Sequence, residues 1–112
     1  MKDIFNKKKL EDLLMGKWAE FLDPGRLMST VSELVSSHVE SFTFVPNYSH
    51  RTKGSQIMVS RLQYEERGFV LWVDFFMPLP GQKVATGTTE LFLLHSGILS
   101  HSKTLGNVYD CV

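Results

Sequence analysis

Apolar residues recur along the chain with two different periods, and the period changes near His38. Before that point the spacing is helical. Leu10, Leu13, Leu14, Trp18 and Phe21 form one stripe, with Lys8, Lys9, Glu11, Asp12, Lys17 and Glu20 on the other sides. This predicts a helix over Lys7 to Leu22. Its acids and bases are nearly equal in number, which favours packing on a sheet over lying on a membrane surface. Asp23-Pro24 is a start signal. The aspartate can accept from a free N–H of the first turn, and proline suits a position whose N–H would have no partner. Leu27, Val31, Leu34, Val35 and His38 then form a second stripe, which predicts a helix from about Pro24 to about His38.

Beyond His38 the pattern alternates. Phe42, Phe44 and Val39 mark a short strand ending at Pro46-Asn47, and the polar stretch from Tyr48 to Gly54 reads as a loop. Gln56 to Tyr64 and Phe69 to Met77 flank Glu65-Glu66-Arg67-Gly68 as a hairpin. A regular register pairs Tyr64 with Phe69, Leu62 with Leu71, Ser60 with Val73 and Met58 with Phe75 on one face. Arg61 with Trp72, Val59 with Asp74 and Ile57 with Phe76 fall on the other. A helix over Ser55 to Arg67 is the competing reading, and Met58 and Leu62 fit it less well than the strand. Pro78-Leu79-Pro80-Gly81 ends the second strand. Val84 to His95 forms another, Ser96-Gly97 reads as a two-residue turn, and Ile98 to Leu105 returns antiparallel. This pairs Leu94 with Leu99, Phe92 with His101, and Glu90 with Lys103 as a cross-strand ion pair.

Both faces of this sheet are substantially apolar. A sheet wetted on one side should alternate more cleanly. The expected architecture is therefore one α+β domain over residues 1–112, with two N-terminal helices packed on a curved, mostly antiparallel sheet of about five strands. Two helices cover one face, so a homodimer through the other face is expected, with Ile57, Arg61, Trp72 and Phe76 in the interface.

Composition narrows the classes. The 112 residues are 43% hydrophobic, and twelve Lys+Arg balance twelve Asp+Glu for a net charge of +0. That balance argues against nucleic acid as a partner, since binding it depends on a basic excess. No apolar run is long enough for a membrane span, and the basic N-terminus has no apolar stretch behind it, so a cytoplasmic location is expected. One cysteine, Cys111, cannot form an intrachain disulfide, so packing must hold the fold.

Two helices followed by a curved sheet resemble the NTF2-like, or SnoaL-like, α+β cone. Val39 to Pro46 looks like that family's first strand after its second helix. Gly54 sits where a family glycine often opens the next element, and Gly87 to Leu99 looks like its last hairpin. The resemblance covers nearly the whole chain in order. It implies a cone with a pocket for a small molecule, dimerisation through the sheet, and, in its isomerases, hydrolases and cyclases, an acid inside the cone.

The chemistry the chain could carry is limited. GxGxxG, P-loop, GxSxG and CxxC patterns are absent, and His38, His50, His95 and His101 lack the close spacing of metal ligands, so neither metal nor cofactor is expected. The register also puts His95 and His101 on opposite faces. Asp74 is the sharpest catalytic candidate, because a carboxylate among apolar groups becomes a usable base. The opposing reading pairs it diagonally with Arg61, stacked on Trp72. Glu90 is a second carboxylate, and its structural alternative is the Lys103 pair. His101 or Tyr48 would orient a substrate. A small, largely apolar ligand would be held by Trp18, His38, Tyr48, Leu71, Phe75 and Phe92 between helices and sheet. The alternative is a non-catalytic dimeric interaction module with a filled core, which would turn Asp74 and Arg61 to the outer side of the sheet.

Overall fold

The computed structural model describes residues 16–48 and 54–111. One helix, α1 (Pro24–His38), leads through a 3-10 turn (Val39–Ser41) into five strands: β1 (Thr43–Tyr48), β2 (Gln56–Glu65), β3 (Gly68–Leu79), β4 (Lys83–Leu94) and β5 (Leu99–Cys111). The sheet order is β1-β5-β4-β3-β2. Three antiparallel ladders join β2 to β5, and β1 adds to β5 in parallel. The fold is thus α+β with a mixed sheet. The expectation of two N-terminal helices is not matched. Residues 16–18 are helical and residues 19–21 form turns, so the helix expected to reach Leu22 stops short of it, and the part before residue 16, with Leu10, Leu13 and Leu14, lies outside the described residues.

Helix α1 begins where its signals place it. The Asp23 carboxylate accepts from Arg26 N at 2.7 Å, and Pro24 opens the first turn. Its apolar stripe seats Leu27, Val31 and Val35 on the sheet, each at most 3% exposed. Arg26 adds a clamp. Its guanidinium donates to the Phe21 carbonyl at 3.0 Å and to the Gly97 carbonyl at 3.1 Å, tying the helix start to the β4–β5 turn. Trp18 and Leu22 join the same core.

The core lies on one face of the sheet. Phe69, Leu71, Val73, Phe75 and Met77 point to it from β3, with Leu62 from β2 and Ala85, Leu91 and Leu93 from β4. Gly87 belongs to the same row, opposite Phe75 and Gly106. A side chain there would run into the Leu105 carbonyl oxygen and come within 2.8 Å of the Phe75 ring, so only glycine fits the approach of these strands.

Both hairpins depart from the regular register by one residue. In β2, Ser60 is an extra residue between the Val59–Val73 and Arg61–Trp72 pairs. Its hydroxyl donates to the Trp72 carbonyl at 3.1 Å. Beyond this bulge the pairs become Met58–Asp74 and Ile57–Phe75, not Val59–Asp74 and Met58–Phe75. Ile57 and Val59 therefore turn to the core, and Met58 turns away from it.

The β4–β5 connection is a three-residue loop. Gly97 N donates to the Leu94 carbonyl at 2.8 Å, and Gly97 takes φ 92°, the left-handed angle that a type I turn closed by a bulge requires. The pairs are Leu93–Leu99, Phe92–Ser100 and Leu91–His101, not Leu94–Leu99 and Phe92–His101. A bulge at Ser102 then restores Glu90–Lys103. Strand β5 also runs on to Cys111, whose N–H donates to the Gln82 carbonyl at 2.8 Å, so the cysteine lies within the sheet. Val39, expected in a strand, lies in the 3-10 turn.

Candidate functional site

Side chains pointing away from α1 form a grid on the open face of the sheet. Reading across β2, β3, β4 and β5, the rows are Gln56–Phe76–Thr86–Asn107, Met58–Asp74–Thr88–Leu105, Arg61–Trp72–Glu90–Lys103 and Gln63–Val70–Phe92–Ser100. None of these residues belongs to the core cluster that contains α1. Trp72, Phe76, Val70 and Phe92 are half-buried among their neighbours. Met58 and Leu105, at the two ends of one row, are 63% and 61% exposed. At one end of this face Val84 is fully buried, flanked in register by Pro78 and Tyr109.

The polar groups of this face are held in specific ways. The Arg61 guanidinium lies 4.4 Å from the centre of the Trp72 ring, a cation–π stack. The Asp74 carboxylate accepts from the Thr88 hydroxyl at 2.8 Å. Glu90 accepts from Ser102 at 3.5 Å. The expected Arg61–Asp74 and Glu90–Lys103 ion pairs do not form: the ion pair among the described residues is Lys83–Asp110 at 2.9 Å. The Arg61–Trp72 stack is present as expected, without the carboxylate.

The expected catalytic set does not assemble. Asp74 and Glu90 share the open face, whereas His101 sits opposite Leu91 on the helix face. His95 also lies on the helix face, its ring centre 5.4 Å from Phe69 and 5.7 Å from Tyr64. The two histidines are therefore on one face, not on opposite faces. The three-residue turn displaces β5 by one position and carries His101 across.

The expected ligand-binding set divides as well. Leu71 and Phe75 are 0% and 4% exposed and are packed core, and of the two only Phe75 reaches an open groove, at the β2 edge. Trp18 is 4% exposed, and its indole N–H has no acceptor among the described residues. Phe92 pairs with Val70 and faces away from the helix. His50 and the Tyr48 side chain lie outside the described residues. Of the expected interface set, Arg61, Trp72 and Phe76 share the open face, and Ile57 stands on the other.

One open groove of about 660 Å³ wraps the β2 edge, with Asp74, Phe76 and Met58 on one side and Ile57, Phe75 and Met28 on the other. A second polar cluster, not anticipated from the sequence, joins α1 to β5. His38 and His101 meet edge to face with ring centres 5.0 Å apart. His101 Nε2 lies 2.8 Å from Thr104 Oγ1, and Thr104 Oγ1 lies 2.8 Å from Thr89 Oγ1. The two histidines are far apart in sequence, so no local spacing could reveal the pair. Among the described residues no three His, Cys, Asp or Glu side chains cluster together, and no helix is long and apolar enough to cross a membrane.

No family model, no curated protein and no solved structure matches the chain.

Proposed function

We propose that this chain is a non-catalytic interaction module of NTF2-like shape, and that the open face of its sheet binds a second copy of itself. The Arg61–Trp72 stack carries this reading. It sits among Val70, Phe76 and Phe92 on the face that α1 does not cover. Tryptophan and arginine are the residue types that dominate protein interfaces. The same face presents both signs of charge, Arg61 and Lys103 with Asp74 and Glu90, and a two-fold contact needs a surface complementary to itself. The order of a helix followed by a five-stranded mixed sheet supports the NTF2-like reading of the shape. Sedimentation of the full chain across the micromolar range tests the proposal. The expected result is a concentration-dependent dimer that Trp72→Glu converts to a folded monomer. A wild-type chain that stays monomeric throughout that range would overturn it.

A second reading rests on the groove beside Asp74. A small, largely apolar ligand would set its body against Ile57, Phe75 and Phe76 and a polar handle on the carboxylate. At 100 times its dissociation constant such a ligand adds about 2.7 kcal/mol. That should raise the melting temperature by about 10 °C. A metabolite screen that moves the melting temperature by no such amount counts against this reading.

A further inference from the structure

We propose that His38 and His101 form a two-histidine binding site for a divalent transition-metal ion such as Zn²⁺ or Ni²⁺. One donor order satisfies every hydrogen bond around the pair and leaves a lone pair free on each ring. The Lys103 carbonyl can only accept, so the Thr89 hydroxyl donates to it at 3.3 Å. With its one proton so placed, Thr89 Oγ1 must accept from the Thr104 hydroxyl at 2.8 Å. Thr104 Oγ1 in turn must accept from His101 Nε2–H at 2.8 Å. The same logic applies to the helix. The Leu34 carbonyl accepts from His38 Nδ1–H at 2.8 Å. Ser37 donates to that carbonyl too and so can only accept from the same ring nitrogen. In the neutral rings the lone pairs therefore lie on His38 Nε2 and His101 Nδ1.

This arrangement matches what imidazole ligands need. Metal-ligating histidines almost always donate their other ring N–H to a carbonyl, carboxylate or water, which fixes the tautomer and orients the ring. Both rings here are anchored through that second nitrogen. A metal about 2.1 Å from a ring nitrogen sits about 3.2 Å from the ring centre, so two rings on one tetrahedral ion have centres about 5 Å apart. The observed separation is 5.0 Å. Imidazole suits zinc, copper and nickel better than calcium or magnesium. His101 is exposed and His38 half-buried, so an ion can reach the pair.

The Ser102 bulge makes the site possible. Residues three apart on a regular strand point to opposite faces. The extra residue turns His101 and Thr104 to the same face, where they bond. With two protein ligands, the remaining coordination positions would hold water, as in an open rather than a closed site.

The test is a titration of the full chain with zinc sulfate and, separately, nickel chloride. It is read by calorimetry and by NMR of the imidazole nitrogens. One ion per chain is expected, with the His38 and His101 ring signals perturbed together and those of His95 unchanged. His101→Ala should abolish tight uptake, and His95→Ala should leave it intact. Thr104→Val, which removes the anchor of His101 along with the Thr104–Thr89 bond, should weaken binding about tenfold. Ring signals of His38 and His101 that stay fixed at millimolar metal would overturn the proposal, as would a ring proton on His101 Nδ1 in the free protein. Both of these readouts need no variant, so a fold lost in His38→Ala would not blunt the test. Uptake that survives His101→Ala unchanged would also overturn it.

Discussion

Strand β3 shows one chain segment in two environments. Toward α1 it presents Phe69, Leu71, Val73, Phe75 and Met77, none more than 5% exposed. Toward the open face the alternate residues Val70, Trp72, Asp74 and Phe76 are only half-buried. Most of these side chains are as apolar as those of the core. What separates the two faces is coverage. Among the described residues, the helix supplies close-packed partners to one face, while the other has only its own neighbours. Burial stabilises in proportion to apolar area removed from water, so equal hydrophobicity should yield unequal stability until something covers the open face.

The comparison is broken most directly by truncating both sides of β3. Phe69→Ala should cost about 3–5 kcal/mol in denaturant unfolding. Val70→Ala, its sequence neighbour on the open face, should cost about 1 kcal/mol or less in the monomer. Equal losses would show that the open face is covered within a single chain.

Gly87→Val tests how tightly the helix face closes. The new side chain meets Phe75 and the β5 backbone, and should cost about 3 kcal/mol. A stability near wild type in urea would show that these strands can part.

Trp72→Ala sharpens the contrast, because its effect should fall on association and not on folding. Removing a central interface anchor typically costs about 2 kcal/mol or more, a dimer weakened about thirtyfold by sedimentation. The monomer's unfolding midpoint should barely move.

Asp23→Ala acts on the element that creates the difference. Loss of the N-cap to α1 should cost about 1 kcal/mol by thermal unfolding.

The smallest effect is expected where the helix face continues past the core. Lys83 and Asp110 pair there at 2.9 Å, with side chains 40% and 44% exposed, beside Phe44, which is 51% exposed. Water screens such a pair, so Asp110→Asn should change stability by about 0.5 kcal/mol or less.

Much of the fold is legible in the sequence. Asp23-Pro24 and the stripe from Leu27 to His38 give α1, expected from about Pro24 to about His38 and found over Pro24–His38. The alternation through Gln56 to Tyr64 and Phe69 to Met77 gives the first hairpin, with Tyr64 opposite Phe69 and Leu62 opposite Leu71. The two apolar faces, and the Trp72–Arg61 neighbours on one of them, also follow from local pattern. The candidate sites are less legible. Asp74 and Arg61 are readable as open-face residues, but the His38–His101 pair depends on where a helix end and a bulged strand meet.

Period and end signals are local properties, since a capping aspartate or an alternating run acts over a few residues. The sequence therefore determined where α1 and the strands of the two hairpins lie, and that the sheet is apolar on both sides, but not the course of the chain before α1 or at Val39. Parity is not local. One extra residue at Ser60 and a turn of three residues instead of two each move a whole strand segment to the other face. That decided the sides taken by Ile57, Met58 and His101, whereas Phe92 takes the open face through its pairing with Val70 in the regular β3–β4 ladder. The parallel pairing of β1 with β5 was likewise settled only by tertiary structure, because strand pairing across the chain is chosen by packing and not by neighbouring residues.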